Sequence, residues 1–222
     1  MRIYLHLTPN REIVPFNYQQ SLVGAFHKWL GENELHDDMS LYSLSWLEGG
    51  KMRQDKKGLN FQYGATFFIS APSHDLLKDF ISGVFQKGTH IRWGMHVQEI
   101  NMKVTPTFGE KARFVAQSPI FIKRWIAEEQ NQKYYLHGDA ESNRLMTETL
   151  QSKLTRQGLS TDVSVVFDPD YQNPRIKQSI YKGIKIKSTL CPVIVEGDAK
   201  AVQFAWEVGI GNSTGIGFGA LR

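Results

Sequence analysis

Histidine is the side chain best suited to acid–base chemistry near neutral pH, and this chain of 222 residues contains seven of them. His27 lies at the edge of the hydrophobic stripe of a helix-like segment, Leu22 to Leu30. His36 follows in a polar stretch, Glu32 to Asp38. Taken alone, these positions are typical of a half-buried packing histidine and a solvated loop histidine. If the fold brings the two together, however, they could supply a general base and a general acid.

The remaining histidines have no comparable context: His6, His74, His90, His96 and His137. His90 and His96 could face the same way in an extended segment, but their spacing is not that of a zinc motif. We therefore interpret them as structural. Cys191 is the only cysteine, so the chain can form neither an internal disulfide nor a paired-thiolate zinc site. The sequence predicts no metal and no cofactor.

The C-terminal segment from Gly209 to Gly219 contains five glycines in eleven residues. Such a segment can form a turn between a helix and a strand, or it can present backbone amides to phosphate oxygens. Because the glycines follow a helix-like segment, their order is the reverse of a dinucleotide-binding loop. No Gly-Lys-Ser/Thr ends the run, which excludes a P-loop. We refer to residues 209–219 as the glycine tail; its candidate phosphate contacts are Gly209, Gly211, Asn212, Ser213, Gly215, Gly217 and Gly219.

Two clusters of basic residues could contact a polyanion. The first has five cations and no acid, and it spans a predicted hairpin turn at Gly183: Arg175, Lys177, Lys182, Lys185 and Lys187. Alternation in a strand places Lys185 and Lys187 on one face. The second cluster is predicted to be a flexible loop containing Lys51, Arg53, Lys56 and Lys57. Either cluster could equally be an ordinary solvated surface.

Composition limits the classes of protein to consider. Hydrophobic residues make up 41% of the chain and charged residues 22%, with a formal net charge of +4, as in a soluble globular protein with a mild basic bias. No apolar run approaches the ~20 residues that a membrane-spanning helix needs, and the N-terminus does not resemble a signal peptide. We therefore expect a cytoplasmic protein that does not associate with membranes.

Hydrophobic periodicity predicts the elements that would position these residues. In the first half they are a strand from Arg2 to Thr8, a helix from Phe16 to Leu30, strands from Leu41 to Leu47 and from Leu59 to Ser70, a helix capped by Ser73, and a strand from Ile91 to Val104. The order β-α-β-β-α-β is that of a ferredoxin-like unit.

The second half can be read in the same order. Its predicted elements are a strand from Lys111 to Ile122, a helix from Glu141 to Gln157, strands from Asp162 to Phe167 and within Ile176 to Val195, a helix from Ala199 to Val208, and a last strand from Gly215 to Leu221. We therefore predict an α+β protein of two tandem ferredoxin-like units, residues 1–108 and 109–222.

The glycine tail, with Gly-apolar-Gly, a polar stretch and then Gly-Phe-Gly, resembles the signature of the RAMP superfamily of CRISPR-associated RNA-binding proteins. Further segments resemble the superfamily's repeat-RNA endoribonuclease family and occur in its order along the chain: Leu35-His36 before Leu41 to Ser45, Ser118 to Ile120, Tyr135-Leu136 before a helix with Leu150, Lys153 and Leu154, the Lys182-Gly183 hairpin, and Pro192 to Gly197. The resemblance covers nearly the whole chain, and the glycine tail is its specific part.

The resemblance implies a metal-independent endoribonuclease that cuts precursor CRISPR RNA at its repeats by attack of the 2′-hydroxyl, leaving a 2′,3′-cyclic phosphate and a 5′-hydroxyl. It implies His36 as one catalytic group and His27 as the second; we assign His27 as base and His36 as acid, although the roles could be reversed. The family often has a lysine after its Leu-His element, and none lies between Met39 and Trp46. Lys51 is the first substitute, ahead of Lys28 and Arg53; Tyr18 is a further catalytic candidate.

The implied partner is CRISPR repeat RNA, bound by the basic hairpin and the glycine tail. Other CRISPR effector subunits are further candidate partners, and the chain could act as a monomer or a homodimer. The alternative function is a non-catalytic RAMP subunit that holds guide RNA without cutting it. The sequence offers one distinction between the two functions, because a pure binding protein has no need for His27 and His36.

Overall fold

The computed structural model describes residues 1–31 and 39–222. The elements of the first half are, in chain order, β1 Arg2–Leu7, α1 Gln19–Leu30, β2 Ser43–Leu44, β3 Lys51–Met52, β4 Leu59–Asn60, β5 Ala65–Ser70, α2 His74–Lys87 and β6 Val97–Lys103. The antiparallel sheet has the strand order β2-β5-β1-β6. With β3 and β4 set apart as a separate hairpin, this is the predicted ferredoxin-like order.

Alternation along β1 explains how the first sheet binds its helices. Ile3 and Leu5 are fully buried in the cluster that contains Phe26 of α1 and Phe80 of α2. The two helices pack very closely, since a Cβ at Gly83 would lie 1.7 Å from a backbone oxygen of α1. This packing fixes the direction of α1, the helix that carries His27.

The second half contains, in chain order, β7 Lys111–Phe114, β8 Ile122–Ile126, β9 Asn131–Tyr135, α3 Ser142–Arg156, β10 Val163–Phe167, β11 Arg175–Tyr181, β12 Ile184–Leu190, β13 Val193–Gly197 and α4 Ala199–Val208. Its sheet has the order β10-β13-β7. The C-terminal backbone continues the sheet beyond β7, because Val115 and Arg222 exchange two hydrogen bonds of 2.8 Å. The order matches that of the first sheet, so the prediction of two ferredoxin-like units is confirmed. Strands β8–β9 and β11–β12 are additional hairpins.

The bounds predicted for the last strand, Gly215 to Leu221, are wrong. Residues Thr214–Ile216 form a 3₁₀ turn, and only Leu221 forms a β-bridge, with Ala116. The physical reason is that Gly217 and Gly219 have φ angles of +93° and +63°, which are incompatible with an extended strand.

Three other predicted strands are interrupted. The segment from Lys111 to Ile122 leaves the strand after Phe114, the segment from Leu59 to Ser70 turns at residues 61–64, and the segment from Ile91 to Val104 begins with a tight turn before β6. The loop predicted around Lys51 is instead the short β3–β4 hairpin.

The two halves are joined by a buried cation, Arg2. Its guanidinium group lies between the rings of Phe68 (3.8 Å) and Trp206 (3.6 Å) and donates hydrogen bonds to the carbonyl oxygens of Trp206 (3.1 Å) and Leu221 (2.7 Å). Burial lowers the pKa of Arg2 to about 10. The hydrogen bonds and the two rings compensate for that burial, so Arg2 connects the first strand to α4 and to the end of the chain.

Candidate active site

His27 lies on α1 and is half-buried. The centroid of its ring is 5.2 Å from that of Phe26, and the two ring planes meet at 69°. The ring of Tyr42 lies 5.2 Å from Phe26. Burial raises the pKa of Tyr42 to about 12. The helix therefore holds His27 against an aromatic cluster, with its Nδ1 buried and the residue as a whole partly exposed.

The other predicted catalytic residues differ in how far the structure describes them. His36 lies outside the described residues, so its position relative to His27 stays a prediction. Lys51 lies on β3, opposite Asn60; its side chain is exposed and makes no hydrogen bond or ion pair with residues 1–31 or 39–222. Arg53 donates a hydrogen bond from its Nε to Asp55 Oδ1 at 3.2 Å.

Tyr18, the further catalytic candidate, is buried at the start of α1. Its hydroxyl accepts a hydrogen bond of 3.1 Å from the backbone N–H of Leu47, and burial raises its pKa. Its ring also contacts Trp46 and Trp93 edge-on. These contacts explain Tyr18 as a packing residue that ties α1 to the segment after β2.

The glycine tail is largely buried, and its glycines allow close contact between backbones. A Cβ at Gly211 would lie 2.5 Å from the carbonyl oxygen of Phe121, and one at Gly215 would lie 2.4 Å from Ser40 Oγ. The tail is thus a wedge that touches both halves of the chain. Gly209, Gly217 and Gly219 are buried as well, so a direct phosphate contact by each glycine stays a prediction.

Asn212, Ser213 and Ile216 are the partly exposed residues of the tail, and the first two are polar. Asn212 is fixed on both sides: its N–H donates to the oxygen of Phe121 (2.7 Å), and its Oδ1 accepts from the N–H of Lys123 (2.8 Å). Ser213 is left-handed, with φ +61°, and precedes the 3₁₀ turn. Within the described part of the chain, the amides of residues 213–215 donate to no other group, and successive amides of this kind can bind an anion.

A fully buried lysine, Lys153 of α3, binds the end of α4 and the start of the glycine tail through hydrogen bonds. Its ammonium group donates to the oxygens of Val208 (3.2 Å) and Gly209 (3.4 Å) and to Thr214 Oγ1 (3.1 Å). The Thr214 hydroxyl in turn donates to the backbone carbonyl oxygen of Tyr42 at 2.8 Å. Burial lowers the pKa of Lys153 to about 7. The sequence places Lys153 in the helix without indicating that it is buried. Its position beside the buried stripe of Leu150 and Leu154 is the one sign of that burial.

The predicted basic hairpin forms as β11 and β12, joined by Lys182 and Gly183, both left-handed. The register places Lys185 opposite Ile180 and Lys187 opposite Gln178, and all four are exposed on one face. Antiparallel alternation puts Arg175 and Lys177 on the opposite face. The five cations therefore surround the hairpin instead of forming one stripe.

The tip of this hairpin reaches the helix that carries His27. The backbone N–H of Lys182 donates to Gln20 Oε1 of α1 at 3.3 Å. The 3₁₀ turn of the glycine tail packs near the same helix and against β2. Three segments that are far apart in sequence thus meet: the basic hairpin, the glycine tail and α1.

Neither a metal centre nor a membrane span is found in the part of the chain that the structure describes. Residues 1–31 and 39–222 contain no group of three or more His, Cys, Asp or Glu residues placed to hold a metal ion. None of the described helices is both long and apolar enough to cross a membrane.

Tandem ferredoxin-like units with a C-terminal glycine tail wedged between them define a RAMP-type protein. The second half and the end of β6, residues 101–222, match the family model for CRISPR-associated protein Cas6, C-terminal. This match covers more than half of the chain, and the chain therefore belongs to the Cas6 family of CRISPR-associated proteins.

Individual relatives agree with this family. The CRISPR-associated endoribonuclease Cas6 1 of Methanocaldococcus jannaschii is 24% identical over 239 aligned positions, which cover 100% of this chain and 92% of the relative. A Cas6-related protein from Pyrococcus furiosus superposes with a TM-score of 0.86 at 18% identity, covering 100% of this chain and 97% of that one. A RAMP protein that binds different RNA substrates has a TM-score of 0.86 at 19% identity, with 100% and 98% covered.

Proposed function

We propose that this chain is an endoribonuclease that cleaves CRISPR repeat RNA in the precursor transcript and so releases guide RNAs. The observation that carries the proposal is the meeting of α1 with the basic hairpin through the Lys182–Gln20 hydrogen bond, beside the glycine tail. In a member of the Cas6 family, the basic hairpin and the glycine tail thus both contact the helix that carries His27. The name of the Methanocaldococcus relative supports the same activity.

In the proposed reaction, the 2′-oxygen of the nucleotide before the cut attacks the adjacent phosphorus. The new O2′–P bond forms as the P–O5′ bond breaks, giving a 2′,3′-cyclic phosphate and a 5′-hydroxyl. His27 takes the proton from the 2′-hydroxyl, and His36 gives a proton to the departing 5′-oxygen. Lys51 is our candidate for the cation that stabilises the negative charge on the phosphorane, since its exposed ammonium forms no ion pair with residues 1–31 or 39–222.

The remaining features of the proposal follow from the same arrangement. Residues 1–108 form the domain that carries the catalytic histidines, and residues 109–222 form the domain with the hairpin and the tail. The RNA is held by the cations of β11 and β12 and by the backbone amides of residues 213–215 of the tail. We also propose that the protein works in the cytoplasm, where the precursor transcript is made.

The activity can be tested by incubating the purified protein with its repeat RNA in EDTA. We expect cutting at one position, with a cyclic phosphate on the 5′ fragment, and no cutting when the nucleotide before that position is 2′-deoxy. Loss of the 2′-hydroxyl removes the nucleophile, whereas binding should persist. Cutting that requires a divalent metal, or that tolerates the 2′-deoxy substitution, would contradict the mechanism. Tight binding with no cutting would instead favour a non-catalytic RAMP subunit.

The hairpin makes a separate prediction about the salt dependence of binding. Replacing Lys185 and Lys187 together by alanine should weaken RNA binding and reduce the slope of log K against log [salt] by roughly 1 to 2, because each phosphate contact releases counterions. The slope is measured by titrating labelled RNA between low and physiological salt. Replacing Lys200, an exposed lysine of α4, by alanine is the control. Equal slopes in all three proteins would exclude this face of the hairpin from the RNA interface.

A further inference from the structure

A groove of about 970 Å³ runs along the outer face of α1, away from the hydrophobic core. One wall is α1, where Gln20, Gly24 and Lys28 share a face at intervals of four residues. The other wall is the turn before β6, residues 90–94. The floor is open because Gly24 is exposed and no atom lies within 4 Å of a Cβ built there. The groove follows the helix for about 12 Å at 1.5 Å per residue.

The turn that forms the second wall has an unusual residue at its tip. Met95 N–H donates to the oxygen of Arg92 at 2.9 Å, and Trp93 and Gly94 between them have φ angles of +56° and +69°. Two left-handed residues in succession are the pattern of a type I′ turn, whose first position favours asparagine or glycine. A bulky aromatic residue is strained there.

Surrounding contacts hold this strained conformation in place. The carbonyl oxygen of Trp93 accepts hydrogen bonds from the N–H groups of Arg11 (2.8 Å) and Glu12 (3.2 Å). The Trp93 side chain is partly buried: it packs against the core of the first half, meets the Tyr18 ring edge-on with centroids 6.4 Å apart, and also lines the groove. A strained backbone that presents an aromatic ring to a groove indicates a role beyond folding.

The charges of the groove favour an anionic ligand. Lys28 and Arg92 are exposed lining residues, and within residues 1–31 and 39–222 neither forms an ion pair. Glu12 is the acidic residue of the lining. At Gln20 the groove meets the tip of the basic hairpin through the bond to Lys182. Cations without ion-pair partners beside a partly exposed aromatic ring are features with which proteins bind single-stranded nucleic acid.

We infer that this groove binds a single-stranded segment of the repeat RNA, with the ring of Trp93 stacked on a base and Arg92 and Lys28 contacting phosphates. The inference rests on the proposed function. The bound strand would run from the hairpin tip at Gln20 along α1 to Lys28, the sequence neighbour of the candidate base His27, which does not itself line the groove. The turn at residues 90–94 would then be a further determinant of substrate position, although the sequence suggested only structural histidines in this region.

Charge reversal at Arg92 is the first test. Arg92→Glu should weaken binding of single-stranded repeat RNA about 10-fold or more at low salt and make the salt slope shallower by about one, because a phosphate contact is lost. Lys78→Glu, on the exposed surface of α2, makes the same charge change outside the groove and should stay within about twofold of the unmodified protein. Both are measured by fluorescence anisotropy with labelled RNA.

Trp93 is tested by substitution and by cross-linking. Trp93→Phe should keep most of the affinity, whereas Trp93→Ala should lose about 5- to 100-fold, the range found for removing one base–aromatic stack. Cross-linking the unmodified protein to RNA that contains 4-thiouridine should label the peptide with Arg92 and Trp93, and this result does not depend on any variant folding.

The inference is overturned if Arg92→Glu binds RNA as well as Lys78→Glu does and no cross-link falls in residues 90–94, while the unmodified protein still cuts the repeat. If the unmodified protein neither binds nor cuts repeat RNA, the proposed function fails, and the inference fails with it.

Discussion

Replacing His27 by alanine should slow cleavage of repeat RNA by roughly 100-fold or more and leave the Kd for that RNA nearly unchanged. The size follows from the typical contribution of a general acid or base, about 10² to 10⁴ in rate. Binding should be spared because the proposed phosphate contacts come from the hairpin and the tail. His27 is half-buried beside Phe26, so a measurement of thermal stability must accompany the kinetics. Single-turnover cleavage with excess enzyme separates the chemical step from product release.

The matched control is His74→Ala. His74 is the exposed first residue of α2 and has no part in the proposed site, so its loss should leave the rate within about twofold. His36→Ala should match the defect of His27→Ala, and the double variant should be little slower than either, since groups that act as a unit are not additive. A His27→Ala protein that folds and cuts at the full rate would assign the base to another residue.

The fold was predictable from the sequence where local signals suffice. The alternation of Ile3 and Leu5 in β1, and the Ser73 cap whose Oγ accepts from the N–H of Leu76 at 3.2 Å, depend on neighbouring residues alone. The same holds for the turn at Lys182 and Gly183. The bounds of the last strand were wrong because glycine patterns do not reveal which residues take positive φ.

The site was predictable in its parts but not in their arrangement. The basic hairpin and His27 were identified separately, whereas their meeting depends on the contact between Lys182 and Gln20, two residues 162 positions apart. The burial of Arg2 and Lys153 also depends on contacts between distant segments. Each is buried because partners from a distant segment supply its hydrogen bonds, and the sequence does not identify those partners. Such pairings depend on the tertiary packing of the two units, which no local pattern encodes.

Gly219→Ala should destabilise the protein by about 4 kcal/mol or more, which corresponds to a fall in Tm of roughly 10 °C for a chain of this size. A Cβ at Gly219 would lie 1.8 Å from the oxygen of Ile210, and the residue has φ +63°. The same backbone accepts a hydrogen bond from the N–H of Ile210 and donates one to the oxygen of Pro119, both at 2.9 Å. The atoms that would clash with the new Cβ belong to the backbone, so no side-chain movement can relieve the clash. Urea unfolding measures the loss.

Gly217→Ala separates this steric effect from the cost of a positive φ. Gly217 has φ +93°, but the nearest atoms to its Cβ are those of Trp46 at 3.6 Å, an ordinary contact. We expect a cost of about 1 to 3 kcal/mol from backbone strain alone, and a folded protein that keeps most of its affinity for RNA. If both variants fold with similar stability and Gly219→Ala alone loses RNA binding, Gly219 acts mainly at the RNA interface. If Gly219→Ala is the much less stable protein, the glycines of the tail serve RNA binding indirectly, by letting the wedge close so that Asn212 and Ser213 reach the surface.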